Sequence, residues 1–194
     1  RGVRYDLVPR ARLDGVADGV AHNGCAVRSA PVAFVELDEL VRTTDEPSRL
    51  LLLDDIEDPH NLGAVLRTAA ALVIDGVVIA GPSAPPLGGA VAKAAAGLLG
   101  HVPLARARVA ADVLNRLKSE GYWTFAADAR GTPLDQVRTS PRWVLCIGSE
   151  GRGLRAKTRS QVDELVAIPM AEGVESLNLS VSAGILMWEL SKTK

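Results

Sequence analysis

Residues 50–72 read LLLLDDIEDPHNLGAVLRTAAAL. Four leucines end in a pair of acids, a Pro-His-Asn corner follows, and an alanine-rich helical pattern then begins. A short apolar run bounded by turn residues is the pattern of a strand buried on both faces. Asp58 or Asn61 can cap the helix that follows, and Pro59 stiffens the corner. Gly63 and Arg67 stand four apart on one helical face, a guanidinium one turn from a residue without a side chain. The glycine leaves room for another backbone or a ligand. By itself this segment is better read as a surface arginine on an amphipathic helix.

The same alternation continues outward from residue 50. The further strand candidates are Gly76–Ala80, His101–Leu104, Tyr122–Ala126, Arg142–Ile147 and Glu164–Ile168. Helical patterns cover Leu62–Val73, Leu87–Leu99, Val109–Glu120 and Leu179–Leu190, with a short one after Leu154. Apolar strands separated by helices predict an α/β fold with a mostly parallel sheet and helices on both faces. Ligands in such folds bind where the strands end, so the residues just after each strand matter most.

Two further segments of that kind stand out. CIGSEGRGL, residues 146–154, follows the apolar run WVLCI and spaces Gly148, Gly151 and Gly153 as GxxGxG. It is neither the dinucleotide fingerprint nor a phosphate loop, which needs Lys and Ser/Thr after the last glycine. Glu150 inside it would repel phosphate and suits an arginine or a cationic ligand. A plain tight turn with a solvated acid is the competing reading. The other segment is IPMAEGVESLNLSVSAGILMWEL, residues 168–190. Ser176, Asn178 and Ser180 precede a helix that is apolar on most sides, and either of the first two can be its N-cap. Such a helix must be buried in a core or against another subunit.

Composition narrows the remaining choices. The chain has 194 residues, 47% hydrophobic and 23% charged, as a globular domain does. Aromatics at 4% argue against a reader that stacks many bases, and a net charge of -1 gives no global pull toward nucleic acid. Cys25 and Cys146 lie far apart, and Cys146 reads as a buried small hydrophobe. His22, His60 and His101 show no metal-ligand spacing, so no metal is expected. No apolar stretch reaches spanning length and no signal segment opens the chain, which predicts a cytoplasmic protein.

The three segments DPHNLGAVLRTAAA, IGSEGRGL and IPMAEGVESLNLSVSAGILMWEL, in this order, resemble the SpoU branch of the SPOUT RNA methyltransferases. LGGAVAKAAAGLLGHVPLAR, with Lys93, is similar to the family's intervening segment, and the resemblance covers residues 48–191. One departure is ALVIDGVV, where the family usually has an aromatic-glycine version. The resemblance implies a SPOUT fold, with the C-terminal chain threading a trefoil knot that pattern reasoning alone would reject. It implies a homodimer with the last helix in the interface, and S-adenosylmethionine held by Gly148, Gly153, Ile168 and Leu177, flanked by Leu154 and Met170. It implies methyl transfer to a ribose 2′-hydroxyl in RNA, with Arg67 as the catalytic arginine held by Asn61 and Glu150. Asn178 and Ser176 would position the ribose and the methionine end of the cofactor.

Residues 1–35 carry five arginines against three aspartates in their first 31 positions. VAHNGCAVRSAP resembles the His-Gln-Gly stretch of the ribosomal-protein-like domain found ahead of ribosomal-RNA ribose methylases, with Asn23 for the glutamine. The expected organisation is a remnant of that RNA-binding domain at 1–35, a linker at 36–47 and a methyltransferase domain at 48–194. The remnant favours 23S ribosomal RNA as substrate. The alternatives are a transfer-RNA ribose methylase, an antibiotic-resistance ribosomal methylase or a catalytically silent RNA-binding or ribosome-assembly module. A nicotinamide dehydrogenase is disfavoured by the lack of GxGxxG after the first strand.

Overall fold

The computed structural model of the chain describes residues 4–17, 19, 21–42 and 47–192, the side chain of Arg42 excepted. It divides into two compact units, residues 1–31 and 32–194. In the first, α1 (Arg10–Ala17) precedes a turn in which Asn23 takes a left-handed φ of 49°. His22 Nδ1 accepts from the Gly24 amide at 3.0 Å, so Nε2 carries the hydrogen and donates to Asp14 at 2.8 Å. His22 is thereby engaged on both nitrogens in a structural role.

The second unit is built on a six-stranded sheet of β1 (Ser48–Asp54), β2 (Gly76–Ala80), β3 (Leu104–Ala107), β4 (Trp123–Pro133), β5 (Arg142–Gly148) and β6 (Glu164–Ala167). Its order is β3-β2-β1-β5-β4-β6, and every pairing is parallel. Leu50–Leu53 are fully buried because alternate side chains enter different cores. Leu51 and Leu53 pack with α3 (Pro59–Ala71), α4 (Gly89–Ala94) and α7 (Leu179–Leu190), through residues such as Leu66, Val91 and Leu186. Leu50 and Leu52 face the other way, toward α2 (Leu37–Arg42) and α5 (Ala110–Ser119).

Several boundaries differ from the sequence expectation, each for a local reason. The third strand starts at Leu104, not His101, because Pro103 has no N–H for the ladder. The helix expected over Leu87–Leu99 ends at Ala94, since Ala96 and Gly97 turn left-handed with φ of 48° and 90°. The fourth strand runs past Ala126 to Pro133 through a register shift between Ala127 and Thr132. The stretch read as a linker at 36–47 includes α2, whose Leu40 and Val41 are buried in the core, and the unit boundary falls after Pro31 instead of residue 35.

Gly63 is required by packing. A Cβ there would lie 2.5 Å from the Val91 carbonyl oxygen, so the glycine admits the backbone of α4 and not a ligand. The final helix is apolar on both sides. Leu179, Ala183, Leu186, Met187 and Leu190 enter the core, while Val181, Ile185 and Trp188 stay exposed on its outer face.

Candidate active site

The carboxyl ends of β5 and β6 and the irregular middle of β4 open into one cleft of about 470 Å³. Its walls are β4 where its register shifts (Ala127–Ala129), the glycine loop after β5 (Gly148–Gly151 and Gly153), Ile168 and Met170 after β6, and Glu175–Leu177 leading into α7. Of the residues expected to hold a cofactor, Gly148, Gly153, Ile168, Met170 and Leu177 line it. Leu154 does not. It turns behind the loop and packs against the core that contains Cys146.

The glycine loop folds tightly on itself. The Gly153 amide donates to the Ser149 carbonyl at 2.9 Å, and Gly151 and Gly153 take φ of 82° and 64°. A Cβ on Gly148 would overlap the Gly153 carbonyl and the Leu154 amide. The loop is also pinned from outside. Arg152 pairs with Glu57, and Arg155 pairs with Asp54, whose side chain is fully buried at the end of β1. The hydrogen bond and charge of Asp54 raise the Arg155 pKa above its ordinary value, against the opposing pull of burial. Burial, reinforced by the Asp54 charge, pushes the Cys146 thiol well up, so it is unreactive in this core.

Capping decides which polar groups remain for the site. Asp58 caps α3, accepting from the His60 and Asn61 amides at 3.0 and 3.3 Å, with Pro59 in the first turn. Asn61 is therefore free of capping, and its Nδ2 donates to Glu150 Oε2 at 2.7 Å. Asn178 caps α7 through its Oδ1, which accepts from the Ser180 and Val181 amides, and its Nδ2 donates to Asn61 Oδ1 at 3.0 Å. One chain of amide and carboxylate groups thus joins all three segments singled out by sequence, across separations of 89 and 117 residues. Ser176 lines the cleft but stands outside this chain of bonds.

Arg67 departs from its expected contacts. Asn61 and Glu150 bond to each other, and Arg67 makes no hydrogen bond or ion pair among the described residues. It is exposed on α3, about 9 Å further along the helix axis than Asn61. The neighbouring Thr68 faces α7, its Cγ2 lying 3.5 Å from where a Cβ on Gly184 would stand.

Among the described residues no lysine or arginine lines the cleft, while three carboxylates do: Asp128, Glu150 and Glu175. That lining disfavours a phosphate-bearing ligand and favours a cationic one. Asp128 was not singled out from sequence, although a carboxylate two residues beyond the apolar run YWTFA sits where strand-end logic points. Burial tends to raise its pKa, but hydrogen bonds from Arg130 and the charges of Arg159 and Arg130 outweigh it, and the net value lies below the ordinary one.

Residues 48–188 match the SpoU rRNA Methylase family. The whole chain is 37% identical to YacO of Bacillus subtilis strain 168, named as a TrmH family tRNA/rRNA methyltransferase, and spans 79% of it. Among solved structures, an rRNA methyltransferase from Sinorhizobium meliloti with bound AdoMet superposes with a TM-score of 0.73 at 28% identity, over 81% of this chain and 60% of that one. A structure concerned with 2-OH methylation of C/U34 on tRNA matches at 33% identity and a TM-score of 0.67, over 74% of this chain and 95% of that one.

Proposed function

Since the chain belongs to the SpoU rRNA methylase family, we propose that it transfers a methyl group from S-adenosylmethionine to a ribose 2′-hydroxyl in RNA, with 23S ribosomal RNA the preferred substrate. The observation that carries this reading is the hydrogen-bonded chain Glu150–Asn61–Asn178 beside a cleft lined by carboxylates. A sulfonium ion is cationic and a ready methyl donor, so the protein has to align the acceptor oxygen and help its proton leave. The donor occupies the cleft, held by the backbone around Gly148, Gly153, Ile168 and Leu177, with Met170 at its side. Ser176 and Asn178 orient the acceptor ribose and the methionine end of the donor.

Arg67 acts on the RNA. With a pKa above about 12, a guanidinium is a poor base but a good clamp for a phosphate and a good partner for a developing alkoxide. Its lack of a hydrogen bond or ion pair among the described residues suits a group reserved for substrate. The working form is a homodimer that covers Val181, Ile185 and Trp188, and α3 lies against that same helix, so Arg67 sits beside the interface. The segment after β6 returns to α3 through the Asn178–Asn61 bond while β6 itself lies outside β4, a course suited to the trefoil knot. Residues 1–31 contribute to RNA binding, and the enzyme works in the cytoplasm, where its substrate is.

Incubation with labelled S-adenosylmethionine and separate 23S ribosomal RNA and bulk transfer RNA, followed by digestion to nucleosides, tests the proposal. Label is expected in 2′-O-methylnucleosides of ribosomal RNA and lost in Arg67→Ala. Label in transfer RNA alone would move the assignment to that substrate, and label on a base would refute ribose methylation.

A further inference from the structure

Asp128 has no part in the machinery described above, yet it is the most firmly built carboxylate of the cleft. Its Oδ1 accepts from the Arg130 amide at 3.0 Å and from Arg130 Nε at 3.3 Å, and its Oδ2 pairs with Arg159 Nη1 at 2.7 Å. The side chain is 16% exposed. An ionised carboxylate has about four acceptor positions. Three are occupied here, leaving one on Oδ2.

Register brings Asp128 itself to the cleft. Ala126 pairs with Cys146 on β5, and Ala127 pairs with Val166 on β6. Two residues on from the first pair and one from the second, Asp128 emerges level with Gly148 and between the two loops that line the cleft. With two guanidinium groups already balancing its charge, it offers a ligand an oriented acceptor more than a net negative field. Oriented acceptors select hydroxyl or amine hydrogens, and a strand-end carboxylate facing a nucleoside commonly takes a ribose hydroxyl.

We propose that the open acceptor position of Asp128 binds a ribose hydroxyl of the methyl donor, so that Asp128 makes the site selective for a donor with an intact ribose. This rests on the S-adenosylmethionine reading of the cleft. Glu150 is tied to Asn61 and Glu175 is exposed and unbraced, so neither duplicates the role.

Isothermal titration of the full chain with S-adenosylhomocysteine and with its 2′-deoxy and 3′-deoxy analogues tests it. The wild-type chain is expected to bind one deoxy analogue about tenfold more weakly than the parent, the usual scale for losing a hydrogen bond to a charged acceptor. In Asp128→Ala that ratio should fall to within about twofold of unity, whatever happens to absolute affinity. Should the alanine variant fail to fold by circular dichroism, Asp128→Asn provides the same comparison with a near-isosteric side chain, and its ratio should shrink. An undiminished ratio in the variants, or no discrimination by the wild-type chain, overturns the role of Asp128 and leaves the cofactor standing. Failure of the wild-type chain to bind S-adenosylhomocysteine at all removes the cofactor itself, a distinct result.

Discussion

Asn61 occupies a position where one added charge should be costly. Its amide bridges a carboxylate at 2.7 Å and another amide at 3.0 Å, donating to the first and accepting from the second. Asn61→Asp would set two carboxylates against each other, and one must then hold a proton that the wild type does not need. Methyl transfer is expected to fall at least a hundredfold at neutral pH and to recover partly on mild acidification. Asn61→Ala should fall without that recovery, so rate–pH profiles of the two variants check the claim. Gly148 is constrained by space, since a methyl group there would strike the Gly153 carbonyl. Gly148→Ala should keep its melting temperature within a few degrees while losing cofactor affinity tenfold or more by titration, because the loop and not the core must shift. Arg67→Lys discriminates clamp from base: a uniform loss across pH indicates a clamp, a shifted profile a base.

Among the elements, the junction of β4 with β6 carries the clearest acid-sensitive contact. Asp163 Oδ2 accepts from the Thr124 amide and hydroxyl, and Oδ1 pairs with Lys118 at 2.6 Å. Burial pulls its pKa up, yet the Lys118 and Thr124 contacts outweigh that and set it below the ordinary carboxylate value. A depressed folded value means the contribution is fully present above the unfolded pKa of about 3.9 and is lost as pH falls through the folded value. Asp163→Asn should therefore lower urea stability at pH 7 and flatten its loss as pH falls below about 4. Helix α7 makes a different demand: its outer residues Val181, Ile185 and Trp188 are exposed in a single chain. Trp188→Glu is expected to leave the fold intact and convert a dimer to a monomer in sedimentation measurements.

At this scale the sequence was most informative where pattern and chemistry agreed. The leucine run placed β1 within two residues of its limits, and general apolarity placed the final helix at its observed limits. The misplaced third strand and shortened fourth helix turned on Pro103, Ala96 and Gly97, single residues whose backbone preference interrupts a continuous apolar pattern. The site was legible as three segments, but not as contacts. Asn61 with Glu150 and Asn61 with Asn178 are pairings across 89 and 117 residues, which local periodicity does not encode. Asp128 escaped notice because its proposed role depends on neighbours in β5 and β6 that only the register supplies.

For the whole molecule, the boundary after Pro31 separates two compact units. A chain reduced to residues 32–194 is expected to retain S-adenosylmethionine affinity within about twofold and to lose affinity for ribosomal RNA, as filter binding at fixed salt would show. Equal RNA affinity with and without residues 1–31 would strip that segment of its proposed role. The bridging amides also bear on assembly. The cleft takes its walls from three strands and the lead into α7, and the Asn178–Asn61 bond ties that lead to a helix 117 residues earlier in the chain, so the pocket is complete only in the folded molecule. A ligand that binds only the folded chain shifts the folding equilibrium by mass action, so S-adenosylmethionine is expected to raise the melting temperature, the more so the greater its excess over the dissociation constant.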